Sequence, residues 1–303
     1  MIRIPTDRLK DFIRLLRPHF LLGSVVLFLI GSSFARGGRI DVNVGLIMAI
    51  LTVAMVQLAG QLADDYFDRE GDHPSHRSLF AGGSGVIQSG SFSARSVLWI
   101  TISICTFSLL LATAVAVFTG RWLFLPLIAL GLVGGLAYSA PPARLASTWF
   151  GEMYVAFLIG FMLPLMGSYY DNGELDAGIV VVSLPLFLFT LESLIAVEFP
   201  DMEADRASGK RNLTFRLGIQ RSKFVQVFLL LTCYVVVVAE VFLGTLKSGA
   251  LLLLVTAPFS LYTSWELIKM KDYDFKVSRT ASNVAMTVNG ITMAILLIIW
   301  IFQ

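Results

Sequence analysis

Residues 45–72 read GLIMAILTVAMVQLAGQLADDYFDREGD. Nineteen residues without a charge, a stretch close to what a bilayer crossing needs, run directly into Asp64, Asp65, Asp68, Glu70 and Asp72. A carboxylate at the centre of a spanning helix costs about 2.5–3.5 kcal/mol on insertion scales, so a row of them at a membrane edge calls for a use. Asp64, Asp68 and Asp72 fall at i, i+4 and i+8. That spacing predicts three carboxylates on one helix face, roughly 6 Å apart per step at the α-helical rise. Like charges so placed repel, and a divalent cation would convert the repulsion into ligation. Hard oxygen ligands suit Mg²⁺, which takes one or two carboxylates and completes its shell with water and substrate phosphates.

A second copy lies 133 residues further on, counted from Asp68 to Asp201. The apolar run 177–199 leads into Glu198-Phe199-Pro200-Asp201-Met202-Glu203-Ala204-Asp205, and Asp201 and Asp205 repeat the i, i+4 step. The copies end the second and the sixth predicted helices, four helices apart, so both acidic ends emerge on one membrane face, as in a parallel repeat. Two such pairs, each with cations, would clamp a diphosphate. Arg77, Lys210 and Arg211 flank them and read either as donors to its outer oxygens or as positive-inside anchors. Pro200 lacks a backbone donor and disfavours helix at Phe199, which predicts a kink or helix end before Asp201. Single acids at helix ends are ordinarily solvated, and Asp65, Glu70 and Glu203 are read that way. His73 and His76 read as loop residues and His19 as interfacial.

Composition agrees with the membrane reading. Of 303 residues, 56% are hydrophobic and 15% charged, and the mean hydropathy of +0.77 excludes a soluble globular protein. Nine apolar stretches are near spanning length: 20–36, 45–64, 95–118, 121–138, 148–168, 177–199, 223–246, 248–268 and 280–302. The expectation is an all-α polytopic membrane protein, one transmembrane domain over 1–303, with about nine helices around a central cavity in two pseudo-repeated halves. All Lys and Arg except Arg36, Arg39, Arg121 and Lys247 fall on the N-terminal side of this topology. That bias predicts a cell-membrane protein with a cytoplasmic N-terminus and cytoplasmic acidic loops. A net charge of +2 gives no ground for nucleic acid as a partner; membrane lipids are the expected surroundings. The two cysteines, Cys105 and Cys233, form neither a disulfide framework nor a metal motif. The N-terminus, charged as far as Arg17 with no small-residue cleavage site, does not read as a cleaved signal.

The segment Asp64-Asp65-Tyr66-Phe67-Asp68-x3-Asp72 resembles the first motif of the UbiA superfamily of intramembrane prenyltransferases. Asp201-x3-Asp205-Arg206-Ala207-Ser208-Gly209-Lys210-Arg211, running on to Arg216-Leu217-Gly218, resembles the second. Similarity extends to Leu16-Arg17-Pro18, to Tyr138-Ser139-Ala140-Pro141-Pro142-x-Arg144 and to Gly151-Glu152. The resemblance implies a nine-helix bundle whose two Asp motifs hold Mg²⁺ and a polyprenyl diphosphate, with departure of diphosphate leaving an allylic carbocation. It implies metal ligation by Asp64, Asp68, Asp72, Asp201 and Asp205, with Asp68 and Asp201 central to catalysis. Tyr138 and Ser139 would lie near the reacting carbon or the acceptor, Tyr138 having the alternative of an interfacial aromatic anchor. Arg17 or Arg144 would meet an anionic group of the acceptor. Position 64 departs from the family pattern, which usually has Asn there, and so adds a charge.

The run Arg77-Ser78-Leu79-Phe80-Ala81-Gly82-Gly83-Ser84-Gly85-Val86-Ile87-Gln88-Ser89-Gly90 resembles the menaquinone branch, whose acceptor is the small aromatic 1,4-dihydroxy-2-naphthoate. Without the resemblance the same glycines read as a flexible loop. A lipid acceptor, as in archaeal geranylgeranylglyceryl phosphate geranylgeranyltransferases, is the enzymatic alternative. A cation-coupled transporter is the alternative of another class, since helix-end carboxylates can line an ion path.

Overall fold

Helix starts follow local chemistry that the apolar runs alone do not display. Asn43 accepts the Leu46 amide through Oδ1 at 2.9 Å, and Ser93 accepts the Ser96 amide through Oγ at 3.0 Å. Each thus satisfies one of the donors that a helix N-terminus leaves open. The computed structural model describes residues 6–70, 83–208 and 211–302. Among them are eleven α-helices: α1 (Thr6–Leu16), α2 (Pro18–Ala35), α3 (Val44–Phe67), α4 (Ala94–Thr119), α5 (Phe124–Ser139), α6 (Gly151–Ala156), α7 (Leu163–Asn172), α8 (Ala177–Ser208), α9 (Leu213–Phe242), α10 (Ala257–Lys269) and α11 (Phe275–Phe302). A π-helical segment, Phe157–Met162, joins α6 to α7, and a 3₁₀ segment, Ser248–Thr256, precedes α10.

Eight stretches are long and apolar enough to cross a membrane, beginning with Leu9–Ala35 and Val44–Phe67 and ending with Phe275–Phe302. They coincide with eight of the nine runs predicted from sequence. The ninth, α5, has 16 residues and a length near 24 Å, short of the roughly 30 Å hydrocarbon core. Gly120 caps α4 in the left-handed region at φ 72°, and residues 121–123 turn before helix resumes at Phe124. Large apolar side chains such as Phe118, Phe228 and Phe242 face outward, as lipid contact allows.

The chain falls into two compact units. The first takes Met1–Val25, Val42–Arg77 and Gly82–Arg144; the second is built on Val26–Asp41 and Leu145–Gln303. In the first, α3 packs against both α4 and α5, and Leu15, Leu62, Val86 and Val97 form a buried cluster. In the second, α8 packs against α9 and α11, and its Leu186, Phe189, Ile195 and Phe199 are fully buried.

Here the structure corrects one expectation. α8 continues through Pro200 to Ser208, carrying Asp201 and Asp205 inside the helix and not beyond its end. An interior proline costs about 3 kcal/mol, and burial of Ile195 and Phe199 against Leu267 and Ala281 outweighs it. Tyr273 also donates its hydroxyl to the Pro200 carbonyl at 2.7 Å, holding the turn that follows the proline.

Candidate active site

The first acidic cluster sits where α3 stops. Asp68 is the C-cap residue, at φ −95° and ψ 3°, and its amide donates to the Asp64 carbonyl at 2.9 Å. The i, i+4 step therefore holds for Asp64 and Asp68, but the helix that would carry Asp72 onto the same face has ended. Asp72 itself lies outside the described residues, as do Arg77, Lys210, His73 and His76. Asp64 is half-buried and accepts the Ser139 hydroxyl at 2.9 Å from the last residue of α5. Ser139 is buried at that point, and Tyr138 beside it is half-buried. Asp68 is buried, and Arg144 reaches towards it with Nη2 3.8 Å from Oδ1.

Asp65 overturns the solvated reading. It is only 4% exposed, its Oδ1 accepts the Ser84 amide at 2.8 Å, and Arg17 Nη2 lies 4.0 Å away. Its Oδ2 is buried with no hydrogen-bond partner among the described residues. A buried carboxylate oxygen so left is costly unless something else meets it. The glycine-rich run is what builds this contact. Gly83 and Gly85 hold φ 64° and 75°, a region open to glycine, and between them they turn the Ser84 N–H onto Asp65. Gln88 ties the same run to α3 by donating Nε2 to the Arg69 carbonyl at 3.0 Å. Residues 83–90 are thus a packed support for the motif, not a slack connection. Glu70, by contrast, is 85% exposed beside Arg69, as expected of a solvated acid.

Arg17 and Arg144 share an unusual backbone. Both are non-glycine residues in the left-handed region, at φ 43° and 38°. Such conformations cost on the order of 1–3 kcal/mol each and persist where the surroundings hold them, a pattern common at functional sites. Neither guanidinium is within hydrogen-bond distance of its carboxylate, so their donors are not consumed there. Behind α3's acids, on the apolar side, a pocket of about 310 Å³ is lined by Ala63, Tyr66 and Phe67 with Thr101, Cys105 and Leu136.

The second cluster is built on a helix. Asp201 and Asp205 are half-buried on α8. Asn212 donates Nδ2 to Asp205 Oδ2 at 2.8 Å, and the Thr214 amide donates to Glu198 Oε2 at 3.3 Å. Glu152 is buried at the start of α6, near Glu198. Arg211 is exposed, and its carbonyl accepts Arg216 Nε at 3.2 Å.

Among the described residues no three His, Cys, Asp or Glu side chains gather closely enough to cage a metal. Hard carboxylate oxygens offered in ones and twos fit a cation that completes its shell with water and phosphate, which is how Mg²⁺ is commonly held. Sequence reasoning missed Asp65 and Asn212. The signal for Asp65 was the Gly83-Ser84-Gly85 triplet, which places one amide between two left-handed residues.

The sequence profile of the UbiA prenyltransferase family matches residues 24–301. The chain is 23% identical over 249 residues to the 1,4-dihydroxy-2-naphthoate octaprenyltransferase of Bacillus subtilis (strain 168), covering 81% of this chain and 78% of that one. It is 30% identical over 206 residues to the digeranylgeranylglyceryl phosphate synthase of Methanoregula boonei, covering 67% and 66%. In three dimensions it is similar to a UbiA homolog from Archaeoglobus fulgidus bound to DMAPP and Mg²⁺, with a TM-score of 0.68, 19% identity, and coverage of 96% and 97%. A profile match over nearly the whole chain, on a fold of the same kind, makes this protein a member of the UbiA prenyltransferase family.

Proposed function

We propose that this chain transfers a polyprenyl group from a polyprenyl diphosphate to 1,4-dihydroxy-2-naphthoate, the aromatic acceptor of menaquinone biosynthesis. The observation that carries the reading is the setting of Asp65 and Asp68: two buried carboxylates, each approached by an arginine that is not hydrogen-bonded to it. That arrangement offers oxygen ligands to a cation and guanidinium donors to anionic substrate groups.

In this reading Asp64, Asp65, Asp68, Asp72, Asp201 and Asp205 are the Mg²⁺ ligands. Mg²⁺ supplies Lewis-acid stabilisation of the charge that builds on the leaving diphosphate. Arg77, Lys210 and Arg211 bind its outer oxygens. The C–O bond breaks with its electron pair going to the diphosphate, and the acceptor attacks the resulting allylic cation, forming the new bond and releasing a proton. Tyr138 and Ser139 stand near that carbon, and Ser139 orients Asp64 through its hydroxyl. Arg17 and Arg144 hold the acceptor's anionic group. The surrounding apolar helices keep bulk water from the cation and accommodate the prenyl chain. The bias of Lys and Arg supports a cytoplasmic N-terminus with both acidic clusters on that side.

The likeness to the M. boonei protein favours a second reading, in which the acceptor is the alcohol of a geranylgeranylglyceryl phosphate. Purified protein in detergent, supplied with Mg²⁺ and geranylgeranyl diphosphate, separates the two. Product with the naphthoate alone supports the first reading, and product with the glyceryl phosphate alone replaces it by the second. Product with neither refutes both acceptors.

A further inference from the structure

We infer that Asn212 is a positioning residue of the second acidic cluster, one amide whose oxygen caps α9 and whose nitrogen orients Asp205. The inference rests on the reading of Asp205 as a Mg²⁺ ligand. Asn212 is 2% exposed, with φ −60° and ψ 178°, the extended backbone of an N-cap residue. Its Oδ1 accepts the Phe215 amide at 3.0 Å and the Thr214 hydroxyl at 3.2 Å. Its Nδ2 donates to Asp205 Oδ2 at 2.8 Å.

The neighbours fix which end of the amide is which. A backbone N–H can only donate, so the oxygen must face Phe215; an ionised carboxylate can only accept, so the nitrogen must face Asp205. Turning the amide over would set donor against donor at one end and acceptor against acceptor at the other. Among N-cap residues, Asp places a second anion against Asp205, and Ser caps with a shorter side chain that does not extend a donor to it. Thr214, one residue into α9, fastens the same turn to α8 by donating its amide to Glu198 at 3.3 Å. One buried side chain therefore joins the start of α9 to an oxygen of the Asp205 carboxyl.

Outer partners of this kind fix the orientation of a ligating carboxylate before the metal arrives, and their removal typically costs 10–100-fold in metal affinity. The test compares Asn212→Ser, which keeps a cap and loses the donor, with Asn212→Ala, which loses both. Two quantities are read on full-length protein in detergent: thermal unfolding without metal, and the Mg²⁺ midpoint for thermal stabilisation at fixed inorganic pyrophosphate. Asn212→Ser should unfold near the wild-type temperature yet need about 10–100-fold more Mg²⁺. Asn212→Ala should show the same Mg²⁺ shift together with a lower unfolding temperature. A midpoint for Asn212→Ser within twofold of wild type overturns the inference.

Asp205→Asn separates this from failure of the underlying assignment, because an unchanged Mg²⁺ midpoint in that variant removes Asp205 from the ligand set altogether. The double variant then tests whether Asn212 acts through Asp205. A positioning role predicts no further Mg²⁺ shift when Asn212→Ser is added to Asp205→Asn, and an independent, additive shift overturns it.

Discussion

Replacing Asp65 with Asn isolates charge from shape at the residue the sequence reading left in solvent. The side chain is 4% exposed and its Oδ1 holds the Ser84 amide at 2.8 Å. Asn keeps an oxygen for that amide, so the glycine-rich support should remain seated on α3. What disappears is the negative charge, including that of the oxygen with no hydrogen-bond partner among the described residues. Removing a prepositioned electrostatic group from a water-excluded site costs about 10²–10³ in rate, or about 2.7–4 kcal/mol. Stability should hold or rise slightly, because a buried neutral amide is less costly than a buried charge. Asp65→Ala provides the contrast: it loses the charge and also strands the Ser84 N–H, adding about 1–3 kcal/mol of destabilisation. Prenyl transfer against Mg²⁺ concentration, with thermal unfolding of the same samples, reads both effects. Turnover by Asp65→Asn within twofold of wild type would show that Asp65 only anchors the loop, and the ligand reading of it would fall.

Asp68→Asn and Asp201→Asn should each abolish Mg²⁺-dependent turnover while leaving the unfolding temperature within a few degrees, and near-normal activity in either removes it from the ligand set. Lys223 is buried on α9 and donates Nζ to the carbonyls of Ile268 and Met270 at 2.8 and 2.7 Å, where α10 ends. Lys223→Met keeps most of the stem's packing but loses two charge-assisted bonds of about 1.5–3 kcal/mol each, so it should lower stability clearly with Mg²⁺ dependence unaltered in the folded fraction. Gly167→Ala would set a Cβ 1.9 Å from the Phe28 carbonyl oxygen, and Gly31→Ala one 1.8 Å from that of Pro164. Since the obstacle is backbone, each should destabilise by about 1–3 kcal/mol or more, measurable as a fall in folded yield and unfolding temperature.

The spanning helices were legible because lipid demands long apolar runs, and a run needs no tertiary information to be seen. Their ends were less so. A short helical turn, capped by Asn212 and broken from the rest of α9 at Gly218 (φ 70°, ψ 160°), precedes the predicted 223, and α8 outlasts Pro200 because its neighbours bury it. Both depend on contacts that residue order does not display. Asp64 and Asp68 could be picked out by spacing. Asp65 could not, since its burial comes from residues 83–90 folding back over it, and a loop's path is set by the tertiary contacts of Ser84 and Gln88. The arginines present the same difficulty: the sequence offers Arg17 and Arg144 as two cations among 23, and only their left-handed backbones and their approach to Asp65 and Asp68 single them out.

The two acidic clusters repeat a spacing without repeating a structure, and that difference has consequences. Asp68 caps a helix that has just ended, and its carboxyl is approached by a side chain from a loop, Arg144, while the neighbouring Asp65 is held by the Ser84 amide. Asp201 and Asp205 ride within α8, where helical geometry sets their separation and Asn212 sets the orientation of one of them. A cluster carried by a packed helix has little freedom to adjust, whereas one assembled from a helix end and glycine-flanked loops can move by changes at a few backbone angles. The first cluster is therefore the one expected to order further when Mg²⁺ and a diphosphate bind. Hydrogen exchange at the amides of residues 84–90 should slow on adding Mg²⁺ with pyrophosphate, while the amides of α8 preceding Asp201 change little. Equal protection in both regions would mean that the two clusters respond as equivalents, and the distinction drawn from their backbones would fail.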